Sequence, residues 1–394
     1  MPRYLKLSIS VVLYAFTLGL MGCNDYTPNP EEDIAIFQPF IDANINKKPD
    51  DPYISSTVKP GDKLYPFLVS LQHGKYDGDL LEKLVAEYDA DAMYWYARSD
   101  INNIKRRKEN FKLLDQAANK GVPYAAWALS NQSSDCLMYL SSASLGSEVS
   151  QGLGKDTSFE KKACSEDYLN LSIKLAKAKA KQGDLRSQYF LLKQLTQDGK
   201  LVPLITENQL ANSNYYQLNF SKETREHYLK EVIRFAENHY YQPLMDYVDT
   251  ILTFDRNKNE YVFSSKKLEK LVVQLLTVGV NNNYIPTVEL LVALNRSDLN
   301  EDDALYQKLN KLGGTEYLAS RFYDFEQSYT RKELACYALM FKDMTGNTKF
   351  FTWIKNRPSD EELESFNCQS HEKLKEMTPM VYIDGFTSRD KWVD

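Results

Sequence analysis

Beyond Leu80, apolar residues recur every three or four positions, which is the spacing that places side chains on one face of an α-helix. The pattern is clearest in four segments: 229–236, 244–251, 268–275 and 334–341. Two sequences also fit the capping box, in which a hydroxyl and a carboxylate satisfy free backbone donors at a helix start: Thr330 with Glu333, and Ser359 with Glu362. No long stretch alternates apolar and polar residues as a half-buried strand does. The pattern therefore predicts an all-α protein.

Four junctions between the predicted helices share one arrangement of residues. Each begins with a small residue that lets two helices approach closely: Ala118, Ala180, Ala236 and Gly279. Three positions later comes a residue that tolerates the left-handed backbone of a helix C-cap: Gly121, Gly183, His239 and Asn282. Four positions further on, a small or imino residue opens the next helix: Ala125, Ser187, Pro243 and Pro286.

These junctions resemble those of the Sel-one-like repeat, a relative of the tetratricopeptide repeat. The resemblance covers roughly 89–347 and implies a right-handed solenoid of helical hairpins over 67–355. The four small residues lie 62, 56 and 43 residues apart, so the first two units are longer than the last. We therefore expect irregular insertions at about 131–160 and 203–220, and insertions in such arrays often lie on the binding face.

The first residues have the features of an export signal. Arg3 and Lys6 are positively charged, and the apolar run 7–21 is too short to span a bilayer comfortably. The sequence Leu-Met-Gly-Cys at 20–23 then resembles the lipobox of bacterial lipoproteins. The resemblance implies that 1–22 is a lipoprotein signal peptide and that Cys23 is the lipid-attachment site. An ordinary cleaved signal and an N-terminal anchor are the alternatives.

Acylation would attach the protein firmly to a membrane, because each buried methylene group of an acyl chain such as palmitate contributes about 0.8 kcal/mol. The residue after Cys23 is Asn24 rather than Asp. In the lipoprotein family this favours the outer membrane, facing the periplasm, over retention in the inner membrane. No other segment is long and apolar enough to cross a bilayer.

The segment 23–66 has the composition of a flexible membrane tether. Seven of the fourteen prolines lie between Pro28 and Pro66, together with several acidic residues. Such a composition leaves little apolar surface to offset the entropy of ordering. We therefore expect this segment to be extended.

Four cysteines remain once Cys23 is acylated, and an exported protein can form disulfides. They allow three connectivities. The pairing that closes the shortest loops joins Cys136 to Cys164 and Cys336 to Cys368. Buried, unpaired thiols are the alternative. The sequence contains no Cys-x-x-Cys motif, so we expect neither redox nor metal chemistry.

Composition and motifs give no indication of catalysis. A hydrophobic content of 43% excludes a disordered chain, and a formal charge of −6 gives no reason to expect nucleic acid as a partner. The four histidines are far apart in the sequence, and there is no Gly-x-Ser-x-Gly motif. We therefore predict no catalytic, metal-binding or cofactor-binding residues, and the protein is not expected to be an enzyme.

The chain is instead rich in aromatic residues, with 27 tyrosines. Most of them are expected to pack between helices, but some can form a protein-binding surface. The candidates are Tyr215 and Tyr216, which lie in the polar insertion ENQLANSNYYQLN rather than in a periodic helix. The region 356–394 is predicted to form a C-terminal helix and a tail that either caps the solenoid or docks onto a partner.

Together these features predict a membrane-anchored periplasmic lipoprotein that binds a protein partner. Lipoproteins that resemble this combination include immunity proteins, which implies a more specific role. The partner would then be a toxic lipase, secreted by a type VI-like system as a phospholipase effector. An envelope-assembly or signalling scaffold of the periplasm is the main alternative. An envelope hydrolase whose residues meet only in space is a third.

Overall fold

The structure is a computed structural model that describes residues 29–197, 222–258, 260–295, 300, 303–323 and 326–393. Over these residues the regular secondary structure is helical apart from one short antiparallel hairpin, which pairs Phe254 with Tyr261. The prediction of an all-α fold is therefore confirmed.

Eighteen α-helices lie within the described residues: α1 (Pro30–Asn44), α2 (Tyr65–Gln72), α3 (Gly78–Ala86), α4 (Ala90–Ser99), α5 (Arg107–Asn119), α6 (Pro123–Ala128), α7 (Leu145–Gly152), α8 (Glu166–Lys181), α9 (Leu185–Gln197), α10 (Lys222–Glu237), α11 (Gln242–Ile251), α12 (Lys266–Asn281), α13 (Ile285–Asn295), α14 (Ala304–Lys311), α15 (Glu316–Tyr323), α16 (Arg331–Thr345), α17 (Asp360–Ser365) and α18 (Ser370–Lys375). The hairpin consists of β1 (Thr253–Asp255) and β2 (Glu260–Val262). Shorter helical turns occur at Ile104–Arg106, Cys136–Leu140, Ser158–Lys161, Glu326–Ser328, Lys349–Thr352 and Arg389–Lys391.

The helices are arranged largely as antiparallel pairs. Turns of three or four residues join six pairs whose members contact each other: α3–α4, α5–α6, α8–α9, α10–α11, α12–α13 and α14–α15. Five of these pairs also contact a helix that follows them in the chain, through α4–α5, α11–α12, α13–α14, α15–α16 and, across the intervening α7, α6–α8. Most contacts between elements therefore join neighbours in the sequence.

The turns explain the residues that the sequence repeats. Gly121, Gly183 and His239 have positive φ values of 96°, 91° and 61°, as predicted for left-handed C-caps. In the fourth turn the left-handed residue was predicted one position too early. Asn282 has a φ of −97° and donates from its side chain to the Val278 carbonyl, because the helical end extends one residue further. The left-handed residue there is Asn283, with a φ of 60°.

Gly279 shows why the small residue is needed before the turn. A Cβ at this position would lie 2.5 Å from the side chain of Thr287 on the paired helix α13. Both capping boxes are also present, at the starts of α16 and α17.

The prediction of a flexible, extended tether is wrong for the described part of 23–66, because its apolar residues follow a helical pattern despite the prolines. Helix α1 packs against α10 and α12 and buries Phe37, Phe40 and Ile41. Pro30 stands at its first position, where no backbone hydrogen bond is lost, and Asn29 caps it.

A buried ion pair fixes α1 to the rest of the protein. Asp33 is 1% exposed and accepts two hydrogen bonds from Arg225 of α10, at 3.0 and 2.5 Å. The hydroxyl of Tyr247 on α11 donates to the same carboxylate at 2.9 Å. The chain after α1 continues along the protein, where Asn281 donates to the Ile45 carbonyl at 2.6 Å.

The C-terminal tail after α18 packs on the protein's own helices. Met380, Val381 and Ile383 are fully buried, and Gln72 of α2 bonds to the tail backbone at Met380 and Tyr382. Trp392 lies against Trp95 of α4, with ring centroids 5.2 Å apart. The apolar residues of the tail therefore pack against the protein's own helices.

Both disulfides follow the sequence-local pairing. Cys136 is joined to Cys164, and Cys336 to Cys368.

Candidate interaction surfaces

The first expected insertion is a folded element between α6 and α8. It contains the turn Cys136–Leu140, helix α7 and the turn Ser158–Lys161. The disulfide from Cys136 to Cys164 joins its beginning to its end. The amide of Asn131 donates to the Ser165 carbonyl at 3.3 Å, which closes its base.

A buried arginine holds this insertion in place. Arg107, at the start of α5, is 3% exposed and pairs with the buried Glu160 at 2.6 Å. Its guanidinium also donates to the Tyr139 carbonyl at 2.8 Å and to the hydroxyls of Ser144 and Ser150. A buried charge is tolerated when it is paired and hydrogen-bonded in this way. The insertion therefore has a fixed position on α5.

Helix α7 has its polar residues inside and its apolar residues outside. Ser147 and Ser150 are buried, and the Ser147 hydroxyl donates to Glu160 at 2.7 Å. Leu145, Val149 and Leu153 are spaced by four residues, so they form one stripe, and they are 72%, 37% and 59% exposed. The polar side of α7 is the buried one because the polar centre around Arg107 lies beneath this helix in place of an apolar core.

We call the exposed apolar residues of this element the insertion surface. It comprises the α7 stripe and two neighbours from the preceding turn, which contacts α7: Leu137, Met138, Leu145, Val149 and Leu153. Exposed lysines adjoin it: Lys105 in a turn that contacts α7, and Lys155 and Lys161 in the chain that follows. One exposed carboxylate, Glu148, also lies on α7. The exposed Asp156 follows Lys155 and pairs with Lys108, so lysines outnumber carboxylates next to the insertion surface.

A second exposed apolar surface is aromatic. Tyr323, at the end of α15, and Trp353 are 49% and 46% exposed, and their ring centroids are 5.0 Å apart. Both rings contact Phe350, which is 1% exposed and stacks on Phe322 at 4.2 Å. We call Tyr323 and Trp353 the aromatic pair. Because buried rings support it, its geometry is set before any partner arrives.

Of the residues predicted to form sites, the structure brings together the disulfide pairs Cys136–Cys164 and Cys336–Cys368. Cys23, Tyr215 and Tyr216 lie outside the described residues, so their roles stay predictions. The run Tyr94-Trp95-Tyr96 is buried, as expected for packing between helices. The aromatic pair was missed because its two residues are 30 positions apart in the sequence.

One pocket combines carboxylates with apolar side chains. It has a volume of about 380 Å³, and its lining includes Asp249, Glu289 and Glu316 together with Met245 and Tyr261. Burial raises the pKa of Asp249 to about 6, although the Lys391 ammonium 3.9 Å away lowers it. Among the described residues, no group of His, Cys, Asp or Glu is arranged to hold a metal ion.

Comparisons with known proteins return no similarity: no family model, no curated protein and no solved structure matches the chain. Within the described residues, every helix is too short or too polar to span a membrane.

Proposed function

We propose that this protein is a membrane-anchored periplasmic lipoprotein that binds a protein partner through the aromatic pair. The observation that carries the proposal is the contact of two half-exposed rings, Tyr323 and Trp353, above the buried Phe350. Tyrosine and tryptophan are the residues that most often dominate binding energy at protein interfaces. Preorganised rings also lose little conformational entropy when a partner binds.

The scaffold in this proposal is a right-handed solenoid of Sel-one-like helical hairpins. Six antiparallel helix pairs, their small and left-handed junction residues, and the contacts between sequence neighbours support it. In such an array each unit packs mainly on its neighbours, so its ends and edges remain accessible to partners.

The anchor in this proposal is an acylated Cys23 in the outer membrane. It is supported by the sequence around Cys23 alone. In its most specific form, the partner is a secreted phospholipase effector and the protein confers immunity to it. Anchoring would raise the inhibitor's local concentration at the membrane that a phospholipase attacks. A scaffold for resident periplasmic proteins is the alternative.

The binding proposal is tested by isolating the full acylated protein from cell envelopes and quantifying the proteins recovered with it. We expect a protein whose recovery falls at least tenfold in a Tyr323→Ala, Trp353→Ala variant. Tyr88→Asn is the matched control, because Tyr88 is a 73% exposed aromatic residue away from the pair, and asparagine tolerates its positive φ of 61°. Recovery that is the same for all three proteins would overturn the proposal.

The immunity form is tested in competition between bacterial strains. Deleting the gene should sensitise cells to a sister strain that delivers the effector, and the wild-type gene should restore survival. Equal survival with and without the gene would leave the scaffold as the remaining form of the binding proposal.

A further inference from the structure

In several of the helix pairs, the first helix begins at the same edge of the protein. Gln188, near the start of α9, donates to the Ala180 carbonyl at the end of α8 and accepts from Arg234 near the end of α10. The ends of α8 and α10 therefore lie together beside the start of α9. Their starts consequently lie at the opposite edge, which we call the insertion edge.

The insertion surface lies at this edge. The base of the insertion closes at Ser165, the residue immediately before α8. Its polar centre is bonded to Arg107, the first residue of α5. The insertion is therefore attached to the starts of α5 and α8, each of which is the first helix of its pair.

The described chain also begins at the insertion edge. Glu31, in the first turn of α1, pairs with Lys267 at the start of α12 at 3.2 Å. Glu32 lies 3.8 Å from Lys222, the first residue of α10. The start of α1 is therefore beside the starts of α10 and α12.

The distance from this edge to the proposed anchor is short. Six residue steps separate Cys23 from Asn29, the first described residue. A fully extended chain spans at most about 3.5 Å per residue, so Asn29 lies within about 20 Å of an acylated Cys23 at the bilayer surface. An acylated Cys23 would therefore hold the start of α1, which lies at the insertion edge, close to the lipid.

We propose that the insertion surface rests in the interfacial layer of the bilayer in which Cys23 is anchored. The inference rests on the proposed acylation of Cys23. A stripe of leucine and valine on a surface helix, bordered by lysines, is the pattern of helices that lie in a membrane interface. Lys105, Lys155 and Lys161 carry the charge that anionic phospholipid headgroups attract.

The composition of the insertion surface favours lipid over a protein partner. It consists of leucine, methionine and valine, whereas the residues most enriched at protein hot spots, tryptophan, tyrosine and arginine, are absent from it. Its rigid support by Arg107 and the Cys136–Cys164 disulfide keeps the stripe exposed without a partner.

The test places a photoreactive benzophenone side chain at Leu145 in the full-length protein in living cells. The matched control carries it at Tyr88, which is 73% exposed compared with 72% for Leu145. Lys120, at the end of α5, donates to the Tyr88 carbonyl, which places Tyr88 at the other edge. After irradiation, adducts are identified by mass spectrometry.

We expect phospholipid adducts at position 145 that exceed those at position 88 at least fivefold. A Leu153→Glu substitution, at an exposed site that the fold does not need, should lower the lipid adducts at 145 several-fold. Protein adducts at 145, or no excess of lipid over position 88, would overturn the inference.

Acylation is measured on the same protein by labelling with an alkyne fatty acid. An acylated protein without lipid adducts at 145 overturns the membrane contact and leaves the anchor intact. A protein without acylation overturns both the anchor and the contact that rests on it, and leaves the aromatic pair to be judged by its own binding test.

Discussion

The insertion surface and the aromatic pair expose similar fractions of large apolar side chains, yet they differ in chemistry. The insertion surface is aliphatic and lies beside lysines, on the edge where the described chain begins. The aromatic pair is built from Tyr323, the last residue of α15, and Trp353, which lies between α16 and α17. Exposure alone therefore does not identify a partner. The residue types and their position relative to the anchor distinguish the two surfaces.

The two surfaces also differ in what supports them. A buried Arg107–Glu160 pair and a disulfide hold the insertion, whereas stacked phenylalanines beneath Tyr323 and Trp353 hold the aromatic pair. Polar support stabilises the insertion only while both charges of the pair are present, because a buried charge without its partner lowers the free energy of unfolding. Damage to the polar centre should therefore disrupt the insertion more than the loss of any exposed leucine.

The largest effect is expected for Arg107→Ala. This change leaves Glu160 buried without its cation, and breaking a buried pair typically lowers the free energy of unfolding by about 3–5 kcal/mol. Urea unfolding followed by circular dichroism measures the change. Arg331→Ala removes the exposed pair with Glu362 and should lower stability far less. Equal losses for the two variants would show that the polar centre does not hold the insertion.

The next largest effect is expected at the aromatic pair and concerns affinity rather than stability. Trp353→Ala should weaken binding of the captured partner by about 2–4 kcal/mol, the range of a hot-spot residue. Tyr323→Ala should cost less, because the tyrosine ring is smaller. Titration calorimetry with the purified partner measures both values. If Leu145→Ser weakened binding as much as Trp353→Ala, the assignment of different occupants to the two surfaces would be wrong.

A smaller, pH-dependent effect is expected at Asp249, which belongs to neither surface. Its folded pKa of about 6 lies above the ordinary aspartate pKa of 3.8, so its contribution to stability is largest below pH 4 and is lost as the pH rises through 6. Asp249→Asn should therefore stabilise the protein above pH 6. The gain is expected to be about 1 kcal/mol, because the side chain is 34% exposed and solvent screens part of the shift.

Thermal unfolding at pH 4 and pH 8 measures the Asp249→Asn effect. A gain at pH 4 that equals the gain at pH 8 would show that the carboxylate does not titrate as described. Asp249→Asn should leave partner binding unchanged. If this substitution alone abolished the cellular phenotype while binding persisted, the envelope hydrolase would become the better explanation.

The smallest effect is expected for Leu145→Ser in the protein freed from membranes. Leu145 is 72% exposed, so replacing it removes little buried area, and stability should change by less than about 0.5 kcal/mol. Unfolding in urea measures this. A large loss would mean that Leu145 is packed and cannot face lipid.

The sequence was sufficient to predict the helices that contain 229–236, 244–251, 268–275 and 334–341, both capping boxes and three of the four left-handed turns, because these depend on local residues. It also favoured the correct disulfide pairing, since Cys136–Cys164 and Cys336–Cys368 close short loops. Helix α1 was missed because prolines suggested an open chain, although Pro30 occupies a position that a helix accepts.

The two surfaces could not be predicted from the sequence either, and the reason differs from the one that applies to α1. The period of Leu145, Val149 and Leu153 is that of a helix facing a core, and only the distant Arg107 makes the serine side of α7 the buried one. Likewise, Tyr323 and Trp353 meet because Phe350, 27 residues after Tyr323, packs against Phe322 and Tyr323 at the end of α15. Both surfaces depend on long-range contacts.

The central comparison is tested most directly by placing the same benzophenone side chain at Leu145 or at Tyr323 in the full-length protein and identifying the adducts from the same cells. The prediction is phospholipid adducts at 145 and protein adducts at 323. Adducts of a single class at both positions, or the reverse assignment, would contradict it.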